Sequence, residues 1–360
     1  MRKHLVVSIS GHGFGHVAQT APVLNALHAQ MPQLRITVRS SVTIEHLHAR
    51  IHIPFTHLPS EGDIGMMMTS PLEVDVTQSR AAYHAFHADW EKRVADEACL
   101  LKKLHADMVF SNAGYLPLAG AQRAGILNAA LCSLNWADIY RHYCTPTGTP
   151  TDAHISQQIQ RCYADADAFL RATPGMAMDD LANLIPVAPI AAVGENRRDE
   201  LNRHLGLSGD EKLVLVSMGG IQSRLPVDNW PRIDGVRYLV QANWQTRHPD
   251  AIAIESMPLC FSDLLASADA LLCKPGYGSF VEAACCGVPV IYAGRPDWPE
   301  SVALTEWLTK NGKSCEISAN ALARGNFSDV LAQLWHTPDT AKIIPAGAQQ
   351  AAGWIAKKMS

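Results

Sequence analysis

An apolar run that ends in a glycine-rich loop occurs twice in this chain, and this repetition most constrains its fold. Residues 5–10, LVVSIS, lead into GHGFGH at 11–16, and residues 212–217, KLVLVS, lead into Met218-Gly219-Gly220. A buried strand followed by a glycine loop and a helix is the opening unit of a doubly wound parallel α/β domain. Single cores stop growing near about 250–300 residues. The 360 residues therefore predict two Rossmann-like domains that face each other across a cleft.

The segments between these loops alternate between strand and helix patterns. Further buried strands are predicted at 34–40, 107–112, 126–133, 238–244, 251–257, 270–276 and 288–294. A helix is predicted after the first loop, with Thr20 as its N-cap. A single long helical pattern covers residues 79–105. Such alternation predicts two parallel sheets that are covered by helices.

The predicted domain boundaries follow from a proline-rich stretch and from the start of the second strand–loop unit. We expect residues 1–185 to form the N-terminal domain and residues 186–199 to form a linker. Residues 200–342 form the second domain, and we expect the helical tail, 343–360, to pack back on the first. Ligands of open α/β sheets bind at the carboxyl ends of the strands. The site is therefore expected in the cleft between the domains.

Composition excludes several classes of protein. Thirty Lys and Arg against 34 Asp and Glu give a net charge of −4, and no basic run suggests nucleic-acid binding. No apolar stretch reaches the length of about 18 residues that a membrane-spanning helix needs. The nine cysteines include no CxxC pair, which predicts free thiols, a cytoplasmic location and no structural metal. Met66–Met68 has two open interpretations: a surface that faces lipid or a partner, as in peripheral membrane contact, or a segment that is core or a mobile loop.

The first loop departs from the dinucleotide fingerprint. Gly11 and Gly13 fit G-x-G-x-x-G, but His16 replaces the third glycine, and the second strand ends with Arg39 instead of an acid. An NADP-binding variant remains the alternative. An imidazole at the head of a helix beside the cleft suits a general base. A helix-capping His16 is the other interpretation, and His12 is a second candidate base.

We expect the nearby helix N-terminus to keep His16 neutral. Asp107 and Asp138 are the candidates to orient its other ring nitrogen.

Residues 267–301 carry the strongest pattern. KPGYGS, at 274–279, joins a strand to a helix, and free N–H groups with close backbone approach make an anion site there. Glu282 follows one turn into the helix and suits hydroxyl groups such as those of a ribose. The later run RPDWPE, at 295–300, offers polar side chains to sugar hydroxyls, with Trp298 as a wall.

The same segment resembles the nucleotide-sugar-binding half of GT-B glycosyltransferases. It is similar to the N-acetylglucosaminyltransferase that completes lipid II, and the glycosyltransferase-like domain of plant L-arabinokinases resembles this chain in GHGFGH, SMGG and LNWADIY (134–140). The resemblance implies that Glu282 binds ribose and that His16 is the cleft histidine. The arabinokinase-type domain also has a D-x-G…D segment, and the resemblance places its residues at Asp63, Gly65 and Asp75. The chain departs from these groups at Gln19, at Asn112, where the arabinokinase type has Asp, and at Pro299-Glu300, where the lipid II enzyme has paired Gln residues.

The resemblance implies a glycosyltransferase that moves a sugar from a nucleotide diphosphate sugar, expected to be UDP-linked, to a small-molecule or lipid-linked acceptor hydroxyl. It implies inversion, His16 as the base, and neither metal nor other cofactor. Further candidates for catalysis are His12 and Asp63. Donor-binding residues are expected to be Ser217, Gly219, Gly220, Met257, Lys274, Gly276, Tyr277, Gly278, Ser279, Glu282, Asp297 and Glu300. Acceptor-side residues are expected to be Gly13, Gly15, Asn112 and Trp136. An epimerase or hydrolase of nucleotide sugars and a non-catalytic nucleotide-sugar-binding protein are the alternatives.

Overall fold

The computed structural model describes residues 2–220, 224–338 and 340–360, and its backbone is built around two parallel sheets. The strands of the N-terminal half are β1 (His4–Ile9), β2 (Arg35–Arg39), β3 (Thr56–Leu58), β4 (Met68–Ser70), β5 (Glu73–Val74), β6 (Met108–Asn112), β7 (Leu127–Cys132), β8 (Ala168–Ala172) and β9 (Leu184–Val187). Those of the C-terminal half are β10 (Lys212–Ser217), β11 (Val236–Val240), β12 (Ala251–Ala253), β13 (Ala270–Cys273), β14 (Val290–Ala293) and β15 (Ser314–Ile317).

Strand order is the same in principle in the two sheets. The first sheet runs β3-β2-β1-β6-β7-β8-β9, and the second runs β12-β11-β10-β13-β14-β15. Each first strand therefore has the second strand of its domain on one side and a later strand on the other. The strand order thus changes direction beside the first strand. Such a change is a topological switch point, where a crevice opens at the carboxyl ends of the strands. The predicted fold class, two doubly wound α/β domains, is confirmed.

Helices cover both faces of each sheet. They are α1 (Gly15–Gln30), α2 (Ile44–His48), α3 (Val76–His87), α4 (Trp90–Lys103), α5 (Leu116–Ala124), α6 (Trp136–Cys144), α7 (Pro150–Ala164), α8 (Arg198–Leu205), α9 (Phe261–Ser267), α10 (Tyr277–Cys286), α11 (Pro299–Asn311), α12 (Ala319–Arg324), α13 (Ser328–His336) and α14 (Gly347–Met359). No helix in these described ranges is both long and apolar enough to cross a membrane.

Two predicted helix features are wrong. Helix α1 begins at Gly15, and the Thr20 hydroxyl donates to the His16 carbonyl oxygen at 2.8 Å, so it serves the helix interior and does not cap it. The pattern over 79–105 is two helices, because Asp89, with φ −112° and ψ 36°, leaves the helical region. The break allows Trp90, at the start of α4, to be buried.

The two halves are connected more than once. Strand β9 belongs to the first sheet and ends at Val187, beyond the boundary predicted at 185, and the chain then crosses to α8. After α13 it crosses back, and α14 packs on α1. The Gly347 N–H donates to the Pro189 carbonyl oxygen at 3.0 Å, which ties the start of α14 to the first crossing.

The hairpin of β4 and β5 reaches from the N-terminal half toward the second sheet. Leu72, at its turn, packs on the core of the C-terminal half. Met66 is buried in the N-terminal core, whereas Met67 and Met68 are half-buried. Of the two interpretations of this methionine run, the core is thus the one that fits Met66. All nine cysteines are free thiols, as predicted.

Candidate functional site

A cavity of about 400 Å³ lies between the carboxyl ends of the two sheets. One wall consists of the β1–α1 loop and residues that follow β7. The opposite wall consists of the loop after β10, the β13–α10 loop and the segment that leads into α11. Both glycine-rich loops recognised in the sequence therefore open into one cleft.

His16, the second residue of α1, lies in the N-terminal wall of this cavity. Its side chain is 5% exposed, and its Nδ1 lies 2.7 Å from the Asn112 side-chain oxygen. Burial lowers the pKa of His16 to about 4, and the hydrogen bond to Asn112 opposes this shift. The imidazole is therefore neutral at pH 7. Burial is the cause, where the sequence argument relied on the helix N-terminus.

The predicted partners of His16, Asp107 and Asp138, are wrong. Asp107 accepts the backbone N–H of His4 at 2.7 Å, and Asp138 pairs with Asn135 and Arg141. Asn112 takes their place because β6 lies beside β1 and ends level with it. Asn112, the last residue of β6, therefore pairs with Ile9 and lies next to the first loop at the same edge of the sheet.

His12 packs among aromatic rings at the floor of the cavity. Its ring lies edge-on to Trp136, with centroids 5.1 Å apart, and stacks on Trp298 at 6.2 Å. A Cβ at Gly65 would lie 2.8 Å from the His12 ring, so this close approach requires glycine. Burial lowers the pKa of His12 to about 3, so it too is neutral at pH 7.

Asp63 lies behind this wall and does not line the cavity. One carboxylate oxygen accepts from the Ser10 hydroxyl and the other from Trp136 Nε1, both at 2.9 Å. Burial raises the pKa of Asp63 to about 6. Its evident effect is to orient Trp136, whose ring touches both histidines.

The β13–α10 loop opens into the cavity at the N-terminus of a helix. Gly276 is the N-cap of α10, and a Cβ there would meet no atom nearer than 3.9 Å, so the loop is open toward the cavity. The first N–H groups of a helix have no partner within it. Tyr277 anchors the loop, since its hydroxyl accepts from the Ile190 N–H at 2.9 Å and donates to the Thr173 carbonyl oxygen at 3.0 Å.

Two cations line the same part of the cavity. Burial, with Arg295 nearby, lowers the pKa of Lys274 to about 8. Arg295 is 4% exposed, its guanidinium lies 4.0 Å from the centroid of Trp298, and its Nε has no hydrogen-bond partner. A buried guanidinium with an unsatisfied N–H can donate to a ligand in the cavity. The sequence analysis quoted Arg295 without a role, because its burial depends on the fold.

Glu282, in α10, is 1% exposed and forms an ion pair across the cleft. Its carboxylate oxygens lie 2.5 and 3.4 Å from the two terminal nitrogens of Arg50, which follows α2 in the N-terminal half. Arg50 also lines the cavity and lies 5.5 Å from the ring of Phe261. Sequence reasoning missed Arg50, because nothing near it in the chain indicates a partner 232 residues away.

Glu300 and Asp297 make further polar contacts across the cleft. The Ser133 hydroxyl donates to Glu300 at 2.5 Å, and Trp298 Nε1 donates to its second oxygen at 3.2 Å. Burial raises the pKa of Glu300. The exposed Asp297 accepts from the Tyr143 hydroxyl at 3.0 Å, outside the cavity wall.

Most of the predicted site residues line the one cavity. They are His12, Gly13, Gly15, His16, Ser217, Gly219, Gly220, Lys274, Gly276, Tyr277, Gly278, Ser279, Glu282 and Glu300. Asp63, Asn112 and Trp136 lie behind the wall and contact residues in it. Met257 belongs to the apolar core, because its neighbours are side chains of the core. Within the described ranges, no cluster of three or more His, Cys, Asp or Glu side chains is arranged to hold a metal ion.

The fold and the cavity together can be compared with known proteins. No family model matches the chain. L-arabinokinase from Arabidopsis thaliana is 24% identical over 336 residues, which cover 91% of this chain. The chain spans only about a third, 32%, of that plant protein.

Solved structures match along the whole chain. The glycosyltransferase of kitacinnamycin has a TM-score of 0.63 at 16% identity, with 100% of this chain and 95% of that one covered. The chain has the GT-B fold. GT-B neighbours also include LpCGTa in complex with UDP, with a TM-score of 0.57 at 16% identity and coverage of 99% and 94%. A Listeria monocytogenes protein described as a UDP-N-acetylglucosamine 2-epimerase has a TM-score of 0.58 at 12% identity, with coverage of 100% and 96%.

Proposed function

We propose that this GT-B chain is a glycosyltransferase that moves a sugar from a UDP-sugar to an acceptor hydroxyl, with inversion at the anomeric carbon. The observation that carries the proposal is the pairing of two unlike walls. A neutral imidazole, His16, lies on one wall, and an open helix N-terminus with two buried cations lies on the other. A base and an anion site that face one cavity suit a displacement in which a hydroxyl attacks and a diphosphate leaves.

His16 acts on the attacking group. Its Nδ1 is engaged by Asn112, which leaves Nε2 to take the proton of the acceptor hydroxyl. The acceptor oxygen then forms a bond to the anomeric carbon as the bond from that carbon to the diphosphate oxygen breaks. Attack and departure on opposite faces of the sugar produce inversion. A base in this position contributes typically about 10²–10⁴-fold to the rate.

The C-terminal wall receives the leaving group. The N–H groups at the start of α10 and the side chains of Lys274 and Arg295 offset the charge that develops on the diphosphate. Preorganised donors in a buried site perform this task without reorganisation. We therefore propose that the reaction needs no divalent metal. The free N–H groups at the start of α10 and the two cations of the wall support this proposal.

The donor's nucleoside end would lie beside Glu282. A carboxylate can accept hydrogen bonds from two neighbouring hydroxyls, such as those of a ribose. Arg50 already donates to Glu282, so a ribose would bind to the remaining lone pairs of the carboxylate. Ser217, Gly219 and Gly220 would approach the phosphates from the neighbouring loop. The sequence resemblance to nucleotide-sugar enzymes, and the UDP complex named for one structural neighbour, support uridine as the base.

A two-stage experiment tests the proposal. Calorimetry and thermal shift compare UDP, dTDP, GDP and ADP, and we expect UDP at 100 times its Kd to stabilise the protein by about 2.7 kcal/mol. A panel of UDP-sugars is then incubated with and without alcohol and lipid-alcohol acceptors, and products are read by mass spectrometry. Sugar transfer that requires an acceptor supports the proposal. Epimerised or hydrolysed sugar without an acceptor, or tight binding with no turnover, overturns it in favour of an epimerase, a hydrolase or a binding protein.

A further inference from the structure

A continuous chain of hydrogen bonds joins the two domains through the floor of the cavity. His16 Nδ1 lies 2.7 Å from Asn112 Oδ1, and Asn112 Nδ2 donates to Gln19 Oε1 at 3.3 Å. Gln19 Nε2 donates to Ser133 Oγ at 2.7 Å, and the Ser133 hydroxyl donates to Glu300 Oε1 at 2.5 Å. All five side chains are at most 6% exposed, so water does not compete for these bonds.

The direction of such a chain is set at its ends. A carboxamide has one donor end and one acceptor end, and a hydroxyl donates one hydrogen. When the Ser133 hydroxyl donates within the chain, the bonds therefore all run toward Glu300 or all run toward His16. An ionised carboxylate only accepts, which forces Ser133 to donate to it, Gln19 to donate to Ser133 and Asn112 to donate to Gln19. The last acceptor, Asn112 Oδ1, then requires a proton on Nδ1 of His16.

The reversed chain would have the opposite result for His16. Asn112 would turn its amide nitrogen toward Nδ1, and the ring proton would move to Nε2. An imidazole in that form donates to the cavity and cannot take a proton from an acceptor there. The two directions thus correspond to a competent and an incompetent base.

We propose that Glu300, from the C-terminal domain, is a positioning residue that fixes the tautomer of His16 in the N-terminal domain through this chain. Its relevance to catalysis rests on the proposed function, but the tautomer itself does not. The surroundings of Glu300 favour the acceptor role that the proposal needs. Burial raises the pKa of Glu300, and the hydrogen bonds from Ser133 and Trp298 Nε1 (3.2 Å) and the charges of Lys274 and Arg295 oppose this shift.

The proposal also explains a departure from the related sequences. The position that is Asp in the arabinokinase-type pattern is Asn112 in this protein, and an amide by itself can offer His16 either a donor or an acceptor. In this protein a carboxylate, Glu300, lies at the other end of the hydrogen-bond chain, on the other domain. The only link of the chain that crosses the cleft is the bond from Ser133 to Glu300. Opening of the cleft therefore releases the control over His16.

The experiment reads the tautomer directly and needs no substrate. The full chain is labelled with ¹⁵N-histidine, His16 is assigned by comparison with His16→Gln, and two-bond ¹H–¹⁵N spectra are recorded near pH 7.5. In the native chain we expect a single form with the proton on Nδ1. In Glu300→Gln the terminal amide can donate as well as accept, so we expect a mixture of the two tautomers. Ser133→Ala, which cuts the chain with a smaller change in the core, should give the same mixture.

Rescue and control variants complete the test. In Glu300→Gln/Asn112→Asp, a carboxylate next to His16 can only accept, so the single Nδ1–H form should return. Tyr143→Phe removes a different bond across the cleft and should leave the tautomer unchanged. A proton on Nε2 in the native chain, or an unaltered Nδ1–H form in both Glu300→Gln and Ser133→Ala, overturns the proposal. Because these spectra involve no donor or acceptor, such a failure leaves the proposed transferase activity to its own test.

Discussion

The β1–α1 loop and the β13–α10 loop are built alike and offer opposite chemistry. Each follows a buried strand and leads into a helix that begins at the cavity edge, at Gly15 in one domain and at Tyr277 in the other. The β1–α1 loop places a buried imidazole on the first turn of its helix. The β13–α10 loop leaves the corresponding space open and has two cations beside it. One strand–loop–helix unit therefore suits proton transfer or anion binding, according to which side chain occupies the first turn.

The largest effect should follow from removing the imidazole. We expect His16→Ala to lower kcat by about 10²–10⁴-fold, the range for a general base, with UDP affinity almost unchanged because the anion site is on the other wall. His12→Ala should cost less. Since the pKa of His16 is about 4, kcat should be flat above pH 6 and fall as the pH approaches 4 and the base is protonated. Near-normal turnover of His16→Ala would remove the chemical distinction between the loops.

The next largest effect should come from filling the open loop. Gly276→Val should weaken UDP binding by about 10²-fold or more, because its side chain would displace the phosphates from two or more charge-assisted hydrogen bonds. The fold should persist, since the protein atom nearest to a Cβ at Gly276 would be 3.9 Å away. Gly209→Val is the matched control, at an equally open glycine away from the cavity. Calorimetry that finds native affinity for Gly276→Val would place the phosphates elsewhere.

Removal of the carboxylate beyond the anion loop should have a moderate effect. Glu282→Ala should weaken UDP binding by about 1–3 kcal/mol, the scale of hydrogen bonds to a charged group. The exposed Glu306→Ala, in α11, is the control and should bind UDP normally. Equal affinities by calorimetry would reject the ribose assignment but leave the phosphate site intact.

A smaller effect should appear with pH. Because the pKa of Lys274 is about 8, its charge is present below that pH and is lost above it. UDP affinity should therefore fall several-fold between pH 7 and pH 9, and the decrease should vanish in Lys274→Met. A decrease that persists in the variant would show that another group titrates.

No effect is expected from EDTA. If backbone N–H groups, Lys274 and Arg295 offset the charge of the leaving diphosphate, turnover should be the same with and without the chelator. Complete inhibition that Mn²⁺ or Mg²⁺ reverses would instead show that a metal supplements the C-terminal loop.

Local patterns in the sequence predicted the central strands of both sheets and the glycine-rich loops that follow them. Buried strands such as β1 and β10 are continuous apolar runs, and glycine ends each of them in a recognisable way. The edge strands β3, β9 and β15 and the β4–β5 hairpin were not predicted. The position of His16 in the cleft follows from the β1–α1 loop, and that of Glu282 follows from the β13–α10 loop. Helix boundaries were less accessible, because the helical pattern continues across Asp89, where the backbone leaves the helical region.

Partners within the site could not be predicted from the sequence. His16 meets Asn112, and Glu282 meets Arg50, only after separate elements are packed together. The sequence suggested the carboxylates of Asp107 and Asp138 as partners of His16. The strand order, with β6 beside β1, instead places the amide of Asn112 next to His16. The same holds for Arg295, whose unsatisfied Nε is visible only once its surroundings are known.

The double crossing between the halves limits how they can move. One connection runs from β9 to α8, and the other runs from α13 to α14, which is packed on α1 and tied to Pro189. Two connections that are hydrogen-bonded to each other restrict twisting and sliding of the halves more than a single connection would. Domain motion in this protein should therefore be mainly opening and closing about these crossings. The residues farthest from the crossings then sweep the widest arc, and a single interdomain angle describes how far the cleft is open.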